Sequence, residues 1–280
     1  MNRGAGVGSI TTIMNHSRLL AAVVSGAVML PVCSMGTGTG TVVELPALAP
    51  SRHSVVNQKS VSTTFPESGY PWKRNIVATV FWVGEQPTQN NPVPNCKSSW
   101  DVNWAQNFGG YDNPRKRCQD YGYKPASFTP QQNPFYVALP YNDVGRGGTK
   151  PEAALVIPWF RTAFEKNGKS VCKGRWVAIR KGRKVAYAQW EDVGPFRTDH
   201  WQYVFGNERP KANINKAAGI DLSPSVRDYL EMDGGMDTVD WKFVEFYEVP
   251  PGPWRRYGDN NIFATHPKLA ERMSKRGGTQ

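Results

Sequence analysis

Apolar runs in this chain are short, and nearly every one is cut off by glycine or proline. Ile76–Val83 is continuously β-branched, aromatic or small and closes at Gly84, which predicts a buried strand. Phe135–Leu139 predicts another, stopped by Pro140, with a loop over 142–150 behind it. Leu155–Phe160 is apolar but interrupted by Pro158, so it reads either as a short strand or as a helical turn. The clearest hairpin joins Arg175–Arg180 to Val185–Trp190, two alternating runs on either side of Lys181-Gly182-Arg183. Near Leu222 the period changes. Ser223 suits an N-cap, Pro224 suits the first helical position, and Val226, Tyr229 and Leu230 fall on one face before Gly234-Gly235. A last strand, Val239–Phe246, runs toward Pro250-Pro251. Residues 85–134 show no clear period and read as a long ordered excursion with only short elements. Many short strands with one capped helix describe a mainly β fold built as a small barrel.

The ends differ from this middle. Arg3 and Arg18 are the only charges in the first 43 residues, and Leu19–Leu30 is an uncharged apolar stretch followed by Pro31 and small residues. A basic start, a short apolar core and a small-residue exit read as an export signal, too short to span a bilayer. The expected organisation is an export signal over 1–36 and a flexible Gly/Thr/Ser/Pro-rich linker over 37–72. A barrel domain over 73–254, which contains 85–134, and a C-terminal tail over 255–280 follow. The expected location is the periplasm, the cell envelope or the exterior. Cys33 is the point at which a lipid anchor could join the chain to a membrane.

Composition adds two constraints. With 27 Gly and 22 Pro the chain turns often, in keeping with short elements. The net charge is +11, which favours anionic partners; export turns that preference toward cell-wall polymers and away from nucleic acid. Cys96, Cys118 and Cys172 would remain after signal removal. Cys96 and Cys118 flank one Trp-rich segment and are the best pair by proximity, whereas Cys172 reads as a buried, inert thiol. Four His and four Cys at scattered positions do not make a zinc cage, and no cofactor is expected.

Three aspartates stand at strand ends beside Gly or Pro: Asp143 after Leu139-Pro140, Asp192 before Val193-Gly194-Pro195, and Asp221 before Leu222-Ser223-Pro224. A carboxyl at the end of an apolar strand is partly desolvated, and its pKa moves up toward general-acid values. Aromatics near them, Tyr141, Trp190, Trp201 and Tyr203, are candidates for stacking on sugar rings.

The segments Asp192-Val193-Gly194-Pro195-Phe196 and Ile220-Asp221-Leu222-Ser223, followed by a short helix and a final strand, resemble the double-psi β-barrel domain. The match covers roughly residues 135–249. It is similar to rare lipoprotein A-like proteins and to the three-aspartate domain of membrane-bound lytic transglycosylase A. The resemblance implies a six-stranded double-psi barrel acting on peptidoglycan or another polysaccharide. Carried over by motif, Asp192 is the expected general acid, Asp221 its companion and Asp143 a looser third match. In a lytic transglycosylase Asp192 would protonate the glycosidic oxygen, and the sugar's C6 hydroxyl would close a 1,6-anhydro ring. Rare lipoprotein A-like enzymes carry a His in the strand corresponding to Phe135–Leu139, where this chain has none. Two alternatives therefore stay open, a non-catalytic polysaccharide-binding barrel of the expansin kind and a polysaccharide hydrolase.

Overall fold

The computed structural model describes residues 69–88, 94–196 and 199–277. The expected export signal, Cys33 and the linker as far as residue 68 lie outside them. Six strands carry the fold: β1 (Lys73–Val80), β2 (Tyr136–Leu139), β3 (Trp176–Lys181), β4 (Lys184–Val193), β5 (Ile220–Leu222) and β6 (Met236–Phe243). They close into a barrel in the order β1-β6-β3-β4-β2-β5, with β5 returning to β1. β1 with β5 and β2 with β4 are parallel, and the other four pairs are antiparallel. Advancing every strand by three places reproduces both the order and the pairing senses. The two halves, β1–β3 and β4–β6, are thus interlocked copies of one connectivity, which is the double-psi arrangement. Closure leaves no free sheet edge on these strands.

The expected elements are present, with ends shifted by a few residues. β1 and β6 begin earlier than the apolar runs suggest, because Lys73, Met236 and Asp237 pair across the β1/β6 ladder despite their polarity or exposure. Leu155–Phe160 is neither one strand nor one turn: Ala153–Val156 and Phe160–Ala163 are separate helical turns around Ile157-Pro158-Trp159. The segment Ile220–Leu222, read from sequence only as an approach to the helix, is a barrel strand. All three residues pair with β1 on one side, and Asp221 and Leu222 pair with β2 on the other.

Two apolar cores form. The larger fills the barrel with Ile76, Ala78, Val137, Leu139, Val177, Ile179, Ala186, Ala188, Trp190 and Trp241 and extends beyond it. The smaller packs Trp104 and Phe108 of the helix α1 (Trp104–Phe108) against Phe81, Val83, Tyr136 and Ala138. Every β2 residue is therefore buried: alternate side chains enter the barrel or meet the 85–134 excursion. Residues 255–277 do not trail away. Trp254, Phe263 and Ala270 are buried in the main core, and the last helix spans Pro267–Gly277. Cys96 and Cys118, expected as a pair, are both free thiols, the first exposed and the second half-buried. Cys172 is buried, and burial together with the nearby Asp143 pushes its thiol well above its ordinary range.

The helix after β5, α2 (Pro224–Tyr229), is capped as expected: the Ser223 hydroxyl accepts from Val226 N–H at 3.4 Å. It also donates to Pro134 O at 2.8 Å and accepts from Tyr136 N–H at 3.3 Å. One fully buried hydroxyl thus ties the helix start to the entry of β2. Ser223→Ala should lower stability by about 1–2 kcal/mol in chemical denaturation, and an unchanged midpoint would show that the cap carries no weight.

Candidate functional site

A row of four residues crosses neighbouring strands of the barrel. Thr79 on β1 pairs with Asp221 on β5, Asp221 pairs with Ala138 on β2, and Ala138 pairs with Asp192 on β4. Cross-strand partners share a face, so all four side chains point the same way, and all four line one cleft of about 760 Å3. That volume falls within the range of small-ligand sites. The two aspartates stand two strands apart, roughly 9–10 Å between Cα atoms at the usual strand spacing. Ala138 separates them with a single methyl group and leaves the space above the row open.

Asp192 reaches this row through a β-bulge. Along β4, Ala186, Ala188 and Trp190 lie in the barrel core, and strict alternation would send Asp192 after them. The ladder with β2 instead runs from Val137–Trp190 directly to Ala138–Asp192. Glu191 is the extra residue, and the slip turns Asp192 onto the cleft face. Trp190 Nε1 donates to Asp192 O at 2.7 Å and pins the bulge. Glu191, directed elsewhere, accepts from Asn260 Nδ2 at 3.1 Å and does not line the cleft.

The carboxyls differ in environment. Burial pushes Asp221 up to about 7; the Thr79 hydroxyl, which donates to it, opposes the rise, and the Asp192 and Glu85 charges add to it. Burial also raises Asp192, but its Oδ1 accepts from Ser99 N–H at 2.8 Å and Val193 N–H at 2.7 Å, both of which favour the ionised form. Gly194 has a steric role. A Cβ built there would stand 2.8 Å from Asp221 Oδ2, so the glycine makes room for the second carboxylate. Two motifs far apart in sequence meet at this contact.

The cleft is also lined by Glu85, Pro94, Asn95, Lys97, Ser98 and Ser99 of the excursion and by Gly194, Pro195, Phe196, Asn215, Gly235 and Met236. Glu85 accepts from Asn95 Nδ2 at 2.9 Å. Phe196 is 40% exposed at the rim. Sequence reasoning passed over Thr79, Glu85, Ser99 and Phe196. Glu85 satisfies the same rule that selected the aspartates, an acid beside glycine at the end of an apolar run, and was findable. Ser99 acts through its backbone and leaves no mark in the side-chain pattern.

Of the expected site residues, only Asp192 and Asp221 converge. Asp143 is fully buried and accepts from Ser170 Oγ at 2.6 Å and Val171 N–H at 2.7 Å. It fastens the loop after β2 to residues 170–171 and does not line the cleft. Tyr141, Trp190 and Tyr203 are core residues and offer no ring face to a sugar. Trp190 packs on Phe243 and Phe205, and Tyr203 accepts from Trp241 Nε1 at 2.8 Å. Trp201 is half-buried against the main core, away from the cleft. Trp190 lies within β4, Trp201 and Tyr203 within the helical turn Trp201–Val204, and Tyr141 just after β2, and apolar burial outcompetes exposure there. The ring available to a ligand at the rim is Phe196. His200 is also removed from the cleft, buried with Nε2 2.9 Å from Glu208 Oε2.

No known protein family matches the chain, and no curated protein matches it. Among solved structures, the Streptomyces papain inhibitor is similar at 12% identity over 62% of this chain and 96% of that one, with a TM-score of 0.27. A likeness at that level decides nothing about this protein.

Two stability measurements test the geometry. A carboxyl whose folded pKa is raised favours the folded state at low pH and loses that contribution as pH climbs through about 7. Asp221→Asn should therefore gain stability over the parent above pH 7, by about 2–4 kcal/mol at most, and the gap should narrow toward pH 4. A gap independent of pH would mean that Asp221 titrates normally. Gly194→Ala should cost about 1–3 kcal/mol by overpacking. The cost should shrink in an Asp221→Ala background, where the colliding oxygen is gone; equal costs in both backgrounds would rule out the contact.

Proposed function

We propose that this protein is an exported, glycan-active barrel that cleaves peptidoglycan strands in the manner of a lytic transglycosylase. The observation that carries the reading is the Asp221–Ala138–Asp192 row at the floor of an open cleft. Two buried carboxyls in unlike hydrogen-bond environments face one space, which is the kind of arrangement that acid–base cleavage of a glycosidic bond requires. Their environments reverse the order of roles expected from the motif. Asp221, pushed up to about 7, holds its proton near neutrality and is the donor to the glycosidic oxygen. Asp192, steadied by two backbone N–H groups, is the carboxylate that receives the proton of the sugar's C6 hydroxyl as the 1,6-anhydro ring closes. Phe196 at the rim gives a sugar ring an apolar face, and the positive charge of the chain suits an anionic wall polymer.

A second reading, a polysaccharide-binding barrel without turnover, is favoured by one observation: the histidine nearest in sequence to the Asp192 motif, His200, is buried away from the cleft. Incubation of purified peptidoglycan with the parent and with Asp192→Asn and Asp221→Asn, followed by mass spectrometry, separates the two. Anhydro-sugar products from the parent, with each variant reduced at least about a hundredfold, are expected. Co-sedimentation with sacculi but no soluble product from any form would establish the binding module, and reducing-end products without an anhydro ring would indicate a hydrolase. The parent rate should fall as pH rises through about 7, where Asp221 loses its proton.

A further inference from the structure

On a different part of the surface, residues 151–169 display apolar side chains that neither core takes up. Ile157 and Trp159 anchor the segment, each 4% exposed. Trp159 Nε1 donates to Val171 O at 2.8 Å, and its ring carries the Arg175 guanidinium at 4.2 Å. The two helical turns on either side of these anchors pack against one another. Between them they turn Leu155, 87% exposed, and Phe164, 43% exposed, to the outside. Phe164 stacks on the half-buried Phe160 with ring centroids 4.9 Å apart. Ala154, Pro158 and Ala163 are exposed beside them. Leu155 is the most exposed of the large apolar side chains among the described residues. A rigidly backed apolar surface of this kind marks a contact with something that excludes water.

The charges around it indicate what that is. Arg146, Arg161, Lys166 and Lys169 are exposed in or beside the segment. Glu165 neutralises Lys169 at 2.5 Å, and Asp199 neutralises Lys150 at 2.5 Å. Arg146, Arg161 and Lys166 have no ion-pair partner among the described residues. Against these three cations the segment sets one acid without an ion-pair partner, the half-buried Glu152, whose Oε1 accepts from the Tyr141 hydroxyl at 3.4 Å. Exposed apolar side chains with a surplus of unpaired cations complement a bilayer whose headgroups are anionic and whose interior is apolar. A protein partner of comparable affinity would call for a larger continuous face than two helical turns supply.

We propose that residues 153–169 are a docking face for an anionic phospholipid bilayer, with Leu155 and Phe164 entering the headgroup boundary and Arg161 and Lys166 resting on the phosphates. This face is separate from the cleft, and its test does not depend on what the cleft does.

Hydrogen exchange of the full chain, read by mass spectrometry with and without vesicles, localises the contact whatever other segments bind. With phosphatidylglycerol vesicles, peptides spanning 153–164 should exchange more slowly, while phosphatidylcholine vesicles leave them unchanged. Leu155→Ser with Phe164→Ser should abolish that protection, with the exchange of β3 and β4 unaltered as the control for folding. In vesicle sedimentation, Arg161→Ser and Lys166→Ser should each weaken binding about fivefold, an effect that salt suppresses. Absence of protection at 153–164 with phosphatidylglycerol, or equal protection by both lipids, overturns the proposal. Protection that grows with protein concentration in the absence of vesicles would assign the face to a second copy of the chain and overturn it as well.

Discussion

Closure of the barrel rests on three residues. Ile220–Leu222 is the shortest of the six strands, and it alone connects β1 to β2, with parallel pairing on one side and antiparallel on the other. Without it the sheet would open along two edges, exposing the core that Ile76, Val137 and Leu222 share. The middle residue of this strand is Asp221. Ile220 and Leu222 enter the barrel, so alternation sends Asp221 to the outer face, against Thr79 and opposite Ala138. The element that completes the fold therefore also delivers a carboxyl to the cleft floor, and a change that loosens one loosens the other.

The second carboxyl arrives by breaking a rule that the first obeys. β4 alternates faithfully through Ala186, Ala188 and Trp190 and then slips by one at Glu191. The slip costs a ladder position, offset in part by the indole N–H that Trp190 places on Asp192 O. Bulges concentrate next to functional sites because they re-aim one side chain without disturbing the rest of a strand. Here the re-aimed side chain is the one whose backbone neighbours, Ser99 and Val193, are ready to receive it as an anion.

Stability and chemistry pull against each other at this row. A carboxyl held near neutrality by burial destabilises the folded protein whenever it ionises. Gly194 gives up a side chain so that Asp221 Oδ2 can occupy the space, and Ala138 keeps the gap between the two acids free of bulk. A barrel selected for stability alone would place an apolar side chain at position 221 and larger apolar side chains at positions 138 and 194. The Ser223 hydroxyl, which joins the end of β5 to α2 and β2, holds the strand in place despite that cost.

The hydrophobic pattern by itself determined five of the six strand segments of the barrel, all but Ile220–Leu222, together with the 175–190 hairpin and the Ser223 cap, because period, turn residues and capping chemistry are local properties. It also marked Asp192 and Asp221, through the glycine and proline beside them. The tertiary structure alone decided which marked residues act together. Asp143 carries the same local signature as its fellows, yet Ser170 and Val171, 27 and 28 residues away, claim its oxygens. Tyr141, Trp190 and Tyr203 look in sequence like rings available to a sugar, and the main core takes them up. The face that Asp192 presents turns on one extra residue between two ladders, whose register is set by pairing with β2 some fifty residues earlier. Local chemistry writes the candidates into the chain, and non-local pairing, which depends on how distant strands meet, selects among them.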